Sequence, residues 1–222
     1  MGAFITLKAS DGVEISAWRS DPAGKPRGGI VVVQEIYGVN HHIRGVTDSF
    51  AAEGYLAIAP AIFDRVQKGV DLGYSDTERQ TAMALMGKAD FQKMLLDVAA
   101  AVPIAKEGGK VAVVGYCLGG SLAYVAASRL PDISAAVCYY GGRILDAKDD
   151  YPKVPTMLHF GEQDAHIPIA RVREFAAAHP DLPVYTYPAG HGFNCDERQS
   201  YDAPSAALAR TRTLEFLAKT IG

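Results

Sequence analysis

The chain has 222 residues, a formal net charge of −3 and 49% hydrophobic side chains. That length and apolar content suit one sizeable globular core, so a single domain over residues 1–222 is expected. The mild charge gives no pull toward nucleic acid or an anionic membrane, and three cysteines without framework spacing do not make a disulfide scaffold.

No basic and apolar leader opens the chain, and no apolar run approaches a membrane span. With the odd cysteine count this points to a reducing, cytoplasmic setting. Residues 4–7 and 13–18 read as two short strands around Ser10-Asp11-Gly12, an antiparallel hairpin. Residues 21–29, rich in proline and glycine, read as a surface loop. Residues 29–34 form a continuous β-branched run, as expected of a strand buried on both faces. A helix is predicted over 43–53, stopped by Gly54, and a buried strand over 55–60.

From 61 to 74 the pattern lapses into loop, and a short helix follows over 78–86. The stretch 61–90 reads as an insertion over the edge of the sheet, not as a second domain. Phe91, Met94, Leu95 and Val98 repeat at helical spacing behind Asp90 as a cap, and Pro103 is expected to kink or end that helix. Further strands are predicted over 110–114, 133–140, 155–160 and 184–187. Helices are predicted over 122–130, 169–178 and 206–218. Strands alternating with helices imply right-handed crossovers and a mostly parallel sheet with helices on both faces. Ligands of such sheets bind beyond the carboxyl ends of the strands.

The central chemical signal is Gly115-Tyr116-Cys117-Leu118-Gly119-Gly120, between an apolar strand and a helix. Strand, sharp turn and helix make G-x-C-x-G a nucleophile elbow, in which the glycines permit close packing of helix on strand. The helix N-terminus there favours a thiolate and an oxyanion. The bland alternative for Cys117 is a small buried hydrophobe; a phosphate loop is disfavoured because no Lys-Ser/Thr pair follows.

A cysteine nucleophile needs a base and an orienting carboxylate. Asp164 follows a predicted strand in Gly161-x-x-Asp164, and His191 follows the last strand between Gly190 and Gly192. A helix cap and a surface histidine are their bland alternatives. The order Cys117, Asp164, His191 is the nucleophile, acid and base order of α/β-hydrolases. Glu35 ends the buried strand 29–34 and points to the same crevice, with a buried ion pair to an arginine such as Arg44 as the alternative. The backbone N–H groups of Leu118 and Ile36 are assigned to the oxyanion hole. His166 is a rival base beside the acid, while His159 and Cys138 read as interior strand residues. Adjacent His41 and His42 complete no metal pattern, so no metal is expected.

Gln34-Glu35-Ile36-Tyr37-Gly38-Val39-Asn40, the elbow block, Tyr139-Tyr140-Gly141, Gly161-x-x-Asp164 and Ala189-Gly190-His191-x-Phe193 together resemble the dienelactone hydrolase (carboxymethylenebutenolidase) family over almost the full length. The resemblance implies an α/β-hydrolase fold, a Cys-His-Asp triad and no cofactor. It also implies a glutamate, matching Glu35, that hydrogen-bonds the resting thiol and changes partner on substrate binding. Tyr37, Tyr116, Tyr140, Arg79 and Cys195 are expected along the substrate site. The family's two carboxylate-binding arginines would fall at Thr81 and Cys195, so a neutral ester or lactone is predicted to be preferred, with Arg79, Arg143 and Arg198 as the side chains able to substitute. The expected partner is a small ester or lactone, and the expected state a monomer or weak homodimer. A thiol-based redox or binding protein using Cys117 with Cys195 is the alternative of a different class.

Overall fold

The computed structural model describes residues 2–147 and 150–222. Eight strands form one sheet: β1 (Ala3–Lys8), β2 (Glu14–Ser20), β3 (Gly29–Val33), β4 (Leu56–Pro60), β5 (Val111–Tyr116), β6 (Ala135–Tyr139), β7 (Thr156–Gly161) and β8 (Val184–Tyr187). Their spatial order is β1-β2-β4-β3-β5-β6-β7-β8. β2 pairs antiparallel with β1 and with β4, and every later pair is parallel. Every residue of β3, β4, β5, β6 and β7 is buried, which is why these strands read as unbroken apolar runs rather than alternating ones.

Among the described residues six α-helices flank the sheet: α1 (His41–Ala52), α2 (Asp76–Met86), α3 (Phe91–Lys106), α4 (Leu118–Arg129), α5 (Ile169–Ala178) and α6 (Ala203–Thr220). Their starts follow local chemistry. Asn40 caps α1 by accepting from the Ile43 N–H, Ser75 and Glu78 form a reciprocal capping box on α2, and Asp202 caps α6. No helix among the described residues is long and apolar enough to cross a membrane.

Two expectations change. α3 runs through Pro103 to Lys106. The proline stands in an exposed position near the helix end, so its ring removes one late hydrogen bond without breaking a long segment. α4 begins at Leu118 rather than near residue 122, because Gly119 and Gly120 are helical despite their low propensity. Residues 61–90 reach beyond the edge hairpin, where Asp64 accepts from the Ser16 N–H at 2.7 Å and Lys68 donates to Glu14 O at 2.6 Å. Gly38 bridges Asp71, the Leu72 N–H donates to Tyr37 O, and Asn40 Nδ2 donates to Leu72 O, which pins this segment over the loop that follows β3.

Candidate active site

Cys117 stands between β5 and α4 with φ 54° and ψ −111°, a left-handed conformation that side chains rarely adopt. Its N–H is held by Tyr139 O at 3.0 Å. The elbow closes because its glycines lack Cβ atoms: one built on Gly115 would lie 1.9 Å from Gly119 O, and one on Gly119 would lie 2.1 Å from Val33 O. Strain at Cys117 is thus fixed by close packing of α4 against β5 and β3.

Two loops bring partners to the sulfur. His191, just past β8, places Nε2 3.1 Å from Cys117 Sγ and Nδ1 2.7 Å from Asp164 Oδ2. Asp164, in the loop after β7, is itself oriented: its Oδ1 accepts from the N–H groups of His166 at 2.8 Å and Ile167 at 3.1 Å. Burial alone would raise the Asp164 pKa, but the hydrogen bond and charge of His191 outweigh it and hold the carboxyl below its ordinary value. For His191, burial opposes the charged ring, yet hydrogen bonds to Asp164 and Cys117 push the pKa up to about 10. An imidazole between a thiol and a fixed carboxylate can take the thiol proton and remain oriented. His166, the rival base, meets His191 edge-on with ring centroids 5.4 Å apart, and its backbone rather than its ring bonds the acid.

Cys117 and His191 open on a cavity of about 410 Å³ whose wall includes Ile36, Tyr37, Leu118, His166 and Arg79. The N–H groups of Ile36 and Leu118 have no hydrogen-bond partner among the described residues, so both are available to a ligand there. Met83 and Met86 of α2 complete an apolar side that the sequence reading did not assign.

Glu35 is buried, and its partner is neither Arg44 nor the thiol. Arg198 Nη1 donates to Oε1 at 3.0 Å and the Tyr74 hydroxyl donates to Oε2 at 3.1 Å, while Arg44 pairs with Asp71 at 2.8 Å. Burial disfavours the Arg198 charge, but the Glu35 carboxylate more than compensates and raises its pKa. Tyr74 lies in an aperiodic loop, and no local signal in the sequence points to it.

The expected substrate-site residues divide. Tyr37 and Arg79 line the cavity. Tyr140, Tyr116 and Cys195 do not. Tyr140 is fully buried with φ 38° and sets its ring 5.1 Å from His191. Tyr116 stacks on Tyr139 and faces a different cavity, between α1 and α6. Cys195 is fully buried, and burial followed by the Glu35 charge pushes its thiol up to about 12. All three cysteines are free, Cys117 half-buried and Cys138 and Cys195 buried. His159 is interior, bonded to Tyr187 and Thr213, and burial lowers its pKa to about 3.

Thr81 is exposed and bonds the carbonyl of Thr77 in its own helix. Yet Arg79, Arg143 and Arg198 all reach the wall of the cavity over Cys117. Arg143 lies 4.8 Å over the Phe91 ring and has no carboxylate partner among the described residues. The three guanidinium groups come from α2, the loop after β6 and the loop after β8.

Strand, strained residue and helix at the carboxyl end of a largely parallel sheet, with a histidine delivered after the last strand, define a hydrolase of the α/β type. The family model described as "Dienelactone hydrolase family" matches residues 15–221, and the chain belongs to that family. It is 35% identical over 225 aligned residues to a carboxymethylenebutenolidase of Pseudomonas putida, covering 96% of this chain and 95% of the other. Identity to carboxymethylenebutenolidase 1 of Cupriavidus pinatubonensis is 32%, over 94% of this chain and 97% of that one. Among solved structures, a dienelactone hydrolase-like promiscuous phosphotriesterase from metagenomic libraries superposes with a TM-score of 0.78 at 20% identity, covering 100% of this chain and 99% of that one, a likeness of fold alone.

Proposed function

We propose that the chain hydrolyses small esters or lactones through Cys117, His191 and Asp164, without a cofactor. The observation that carries this reading is one imidazole bonded at 3.1 Å to the elbow thiol and at 2.7 Å to a buried carboxylate, at the floor of an open cavity. His191 takes the Cys117 proton, and the sulfur attacks the substrate carbonyl carbon. The carbonyl oxygen becomes an oxyanion facing the N–H groups of Ile36 and Leu118. The tetrahedral species collapses, the C–O bond breaks, and His191 returns its proton to the departing alkoxide. A water deprotonated by His191 then attacks the thioester, and the acid leaves as the sulfur recovers its proton.

The preferred substrate in this reading carries a carboxylate near its ester. Arg79, Arg143 and Arg198 support it, since each charge-assisted contact contributes about 1.5–3 kcal/mol. A substrate carboxylate that draws Arg198 away leaves Glu35 with Tyr74 alone and frees it to turn toward the thiol. The family relatives are named for a lactone that bears a carboxymethylene group, which agrees with this charge. Purified Cys117→Ala tests the first reading: turnover of p-nitrophenyl esters should fall to near the uncatalysed rate with the fold intact, and substantial residual turnover would overturn it.

A further inference from the structure

One turn into α4, Ser121 borders the cavity over Cys117 although only 2% of it is exposed. A hydroxyl has one proton to give and two lone pairs to offer. The Arg143 N–H takes one lone pair at 3.1 Å, and the proton has no acceptor among the described residues. In a helix a serine hydroxyl commonly turns back to the carbonyl four residues earlier. Here that carbonyl belongs to Cys117, and it accepts the Ser121 N–H at 3.2 Å rather than the hydroxyl. The loop after β6 holds the oxygen in place. Gly141 lets that loop lie against α4, since a Cβ built there would stand 2.7 Å from Ser121 N. A buried O–H group without an acceptor is costly unless a ligand supplies one.

A second observation concerns charge. Of the three arginines along this cavity, Arg198 serves Glu35 at 3.0 Å and Arg79 stands 3.7 Å from Asp76. Arg143 has no carboxylate partner among the described residues, and its guanidinium rests 4.8 Å over the Phe91 ring. Its backbone holds the Ser121 oxygen while its side chain borders the same cavity. A neutral donor without an acceptor and a cation without a counter-charge therefore belong to one corner of the site.

We propose that Ser121 is a specificity-determining residue: its hydroxyl donates to one oxygen of the substrate carboxylate while the Arg143 guanidinium meets the other. The inference rests on the hydrolytic reading above and adds where the carboxylate sits, at the corner between α4 and the loop after β6. A carboxylate only accepts, so it matches both donors, and its charge strengthens each bond. A neutral ester arm in the same corner accepts more weakly and leaves the Arg143 charge unanswered. Arg198 joins the pair only when it leaves Glu35. No bond is made or broken at Ser121, whose proton stays on Oγ throughout.

The test reads binding by calorimetry on the full chain carrying Cys117→Ala, with monomethyl glutarate, which bears one carboxylate, and neutral dimethyl glutarate as ligands. The anion should bind about tenfold tighter or more. Adding Ser121→Ala should weaken the anion by roughly tenfold and leave the diester unchanged. Adding Arg143→Met as well should cost less than the product of the two single losses, because both side chains hold one carboxylate. Equal weakening of both ligands is what a merely structural role for the bond to the Arg143 N–H would give, and it overturns the proposal. So does a parent without preference for the anion, a preference that survives Ser121→Ala, or losses that multiply in full. If Ser121→Ala fails to fold by circular dichroism, Ser121→Cys, close in size but a weak donor, decides it by the same criteria. Methanol release from both esters by the chain with Cys117 intact is read separately: a binding preference without ester cleavage would reject the hydrolytic reading and keep this subsite.

Discussion

Asp164→Asn keeps the shape of the acid and removes its charge, and the geometry dictates how the amide must sit. Asp164 Oδ1 accepts from two backbone N–H groups, those of His166 at 2.8 Å and Ile167 at 3.1 Å. Those donors require an oxygen, so the amide nitrogen takes the Oδ2 position, 2.7 Å from His191 Nδ1. An amide nitrogen only donates, so Nδ1 must become the acceptor and the ring proton moves to Nε2. There it faces Cys117 Sγ at 3.1 Å, donor against donor, and the ring cannot take the thiol proton. The analogous change in a Ser-His-Asp triad lowers kcat by about 10⁴, and a loss of that order is expected here. Losing the carboxylate also leaves burial free to pull down the His191 pKa, now pushed up to about 10, so the thiolate should be rarer at neutral pH. Two assays read this: kcat/KM on a p-nitrophenyl ester, and the pH profile of iodoacetamide alkylation at Cys117. A folded variant within about tenfold of the parent rate, with an unchanged alkylation profile, would refute the assignment of tautomer control to Asp164.

His191→Ala should abolish turnover while His166→Ala shifts mainly KM, because only the His191 ring bonds both sulfur and acid; swapped effects in steady-state kinetics would exchange the two roles. Gly119→Ala should destabilise the elbow by about 1–3 kcal/mol or more, since its Cβ would stand 2.1 Å from Val33 O, and an unchanged urea midpoint would contradict that packing. The depressed pKa of Asp164 contributes stability that is present above the ordinary value of 3.8 and lost as pH falls through the lower folded value. Below pH 4, Tm should therefore fall more steeply in the parent than in Asp164→Asn, and parallel curves would remove the linkage. With matched carboxylate-bearing and neutral lactones, Arg143→Met should raise KM for the anionic one by roughly tenfold or more and leave the neutral one near its parent value. An equal rise for both would show that Arg143 does not read charge.

The strands, the elbow and the chain order of Cys117, Asp164 and His191 were legible because each rests on local chemistry. β-branched runs make buried strands, glycines permit a close turn, and turns after strands deliver side chains to one end of a parallel sheet. What stayed hidden depends on contacts between distant segments. Tyr74 is an ordinary loop tyrosine until Asn40, the cap of α1, donates from Nδ2 to its hydroxyl at 3.1 Å, while the hydroxyl itself lies within hydrogen-bonding reach of Glu35. Arg198 is one of several surface-seeming arginines until burial places it on that same carboxylate. The arginines along the cavity are hidden for the same reason: on α2 both Thr81 and Arg79 are exposed but only Arg79 borders the cavity, and the loop after β8 presents Arg198 three residues beyond buried Cys195. A cavity wall selects side chains by where their guanidinium groups arrive, not by where their Cα atoms fall in the sequence. In this chain Glu35 ties one of those arginines, Arg198, to the wall of the cavity over the elbow thiol.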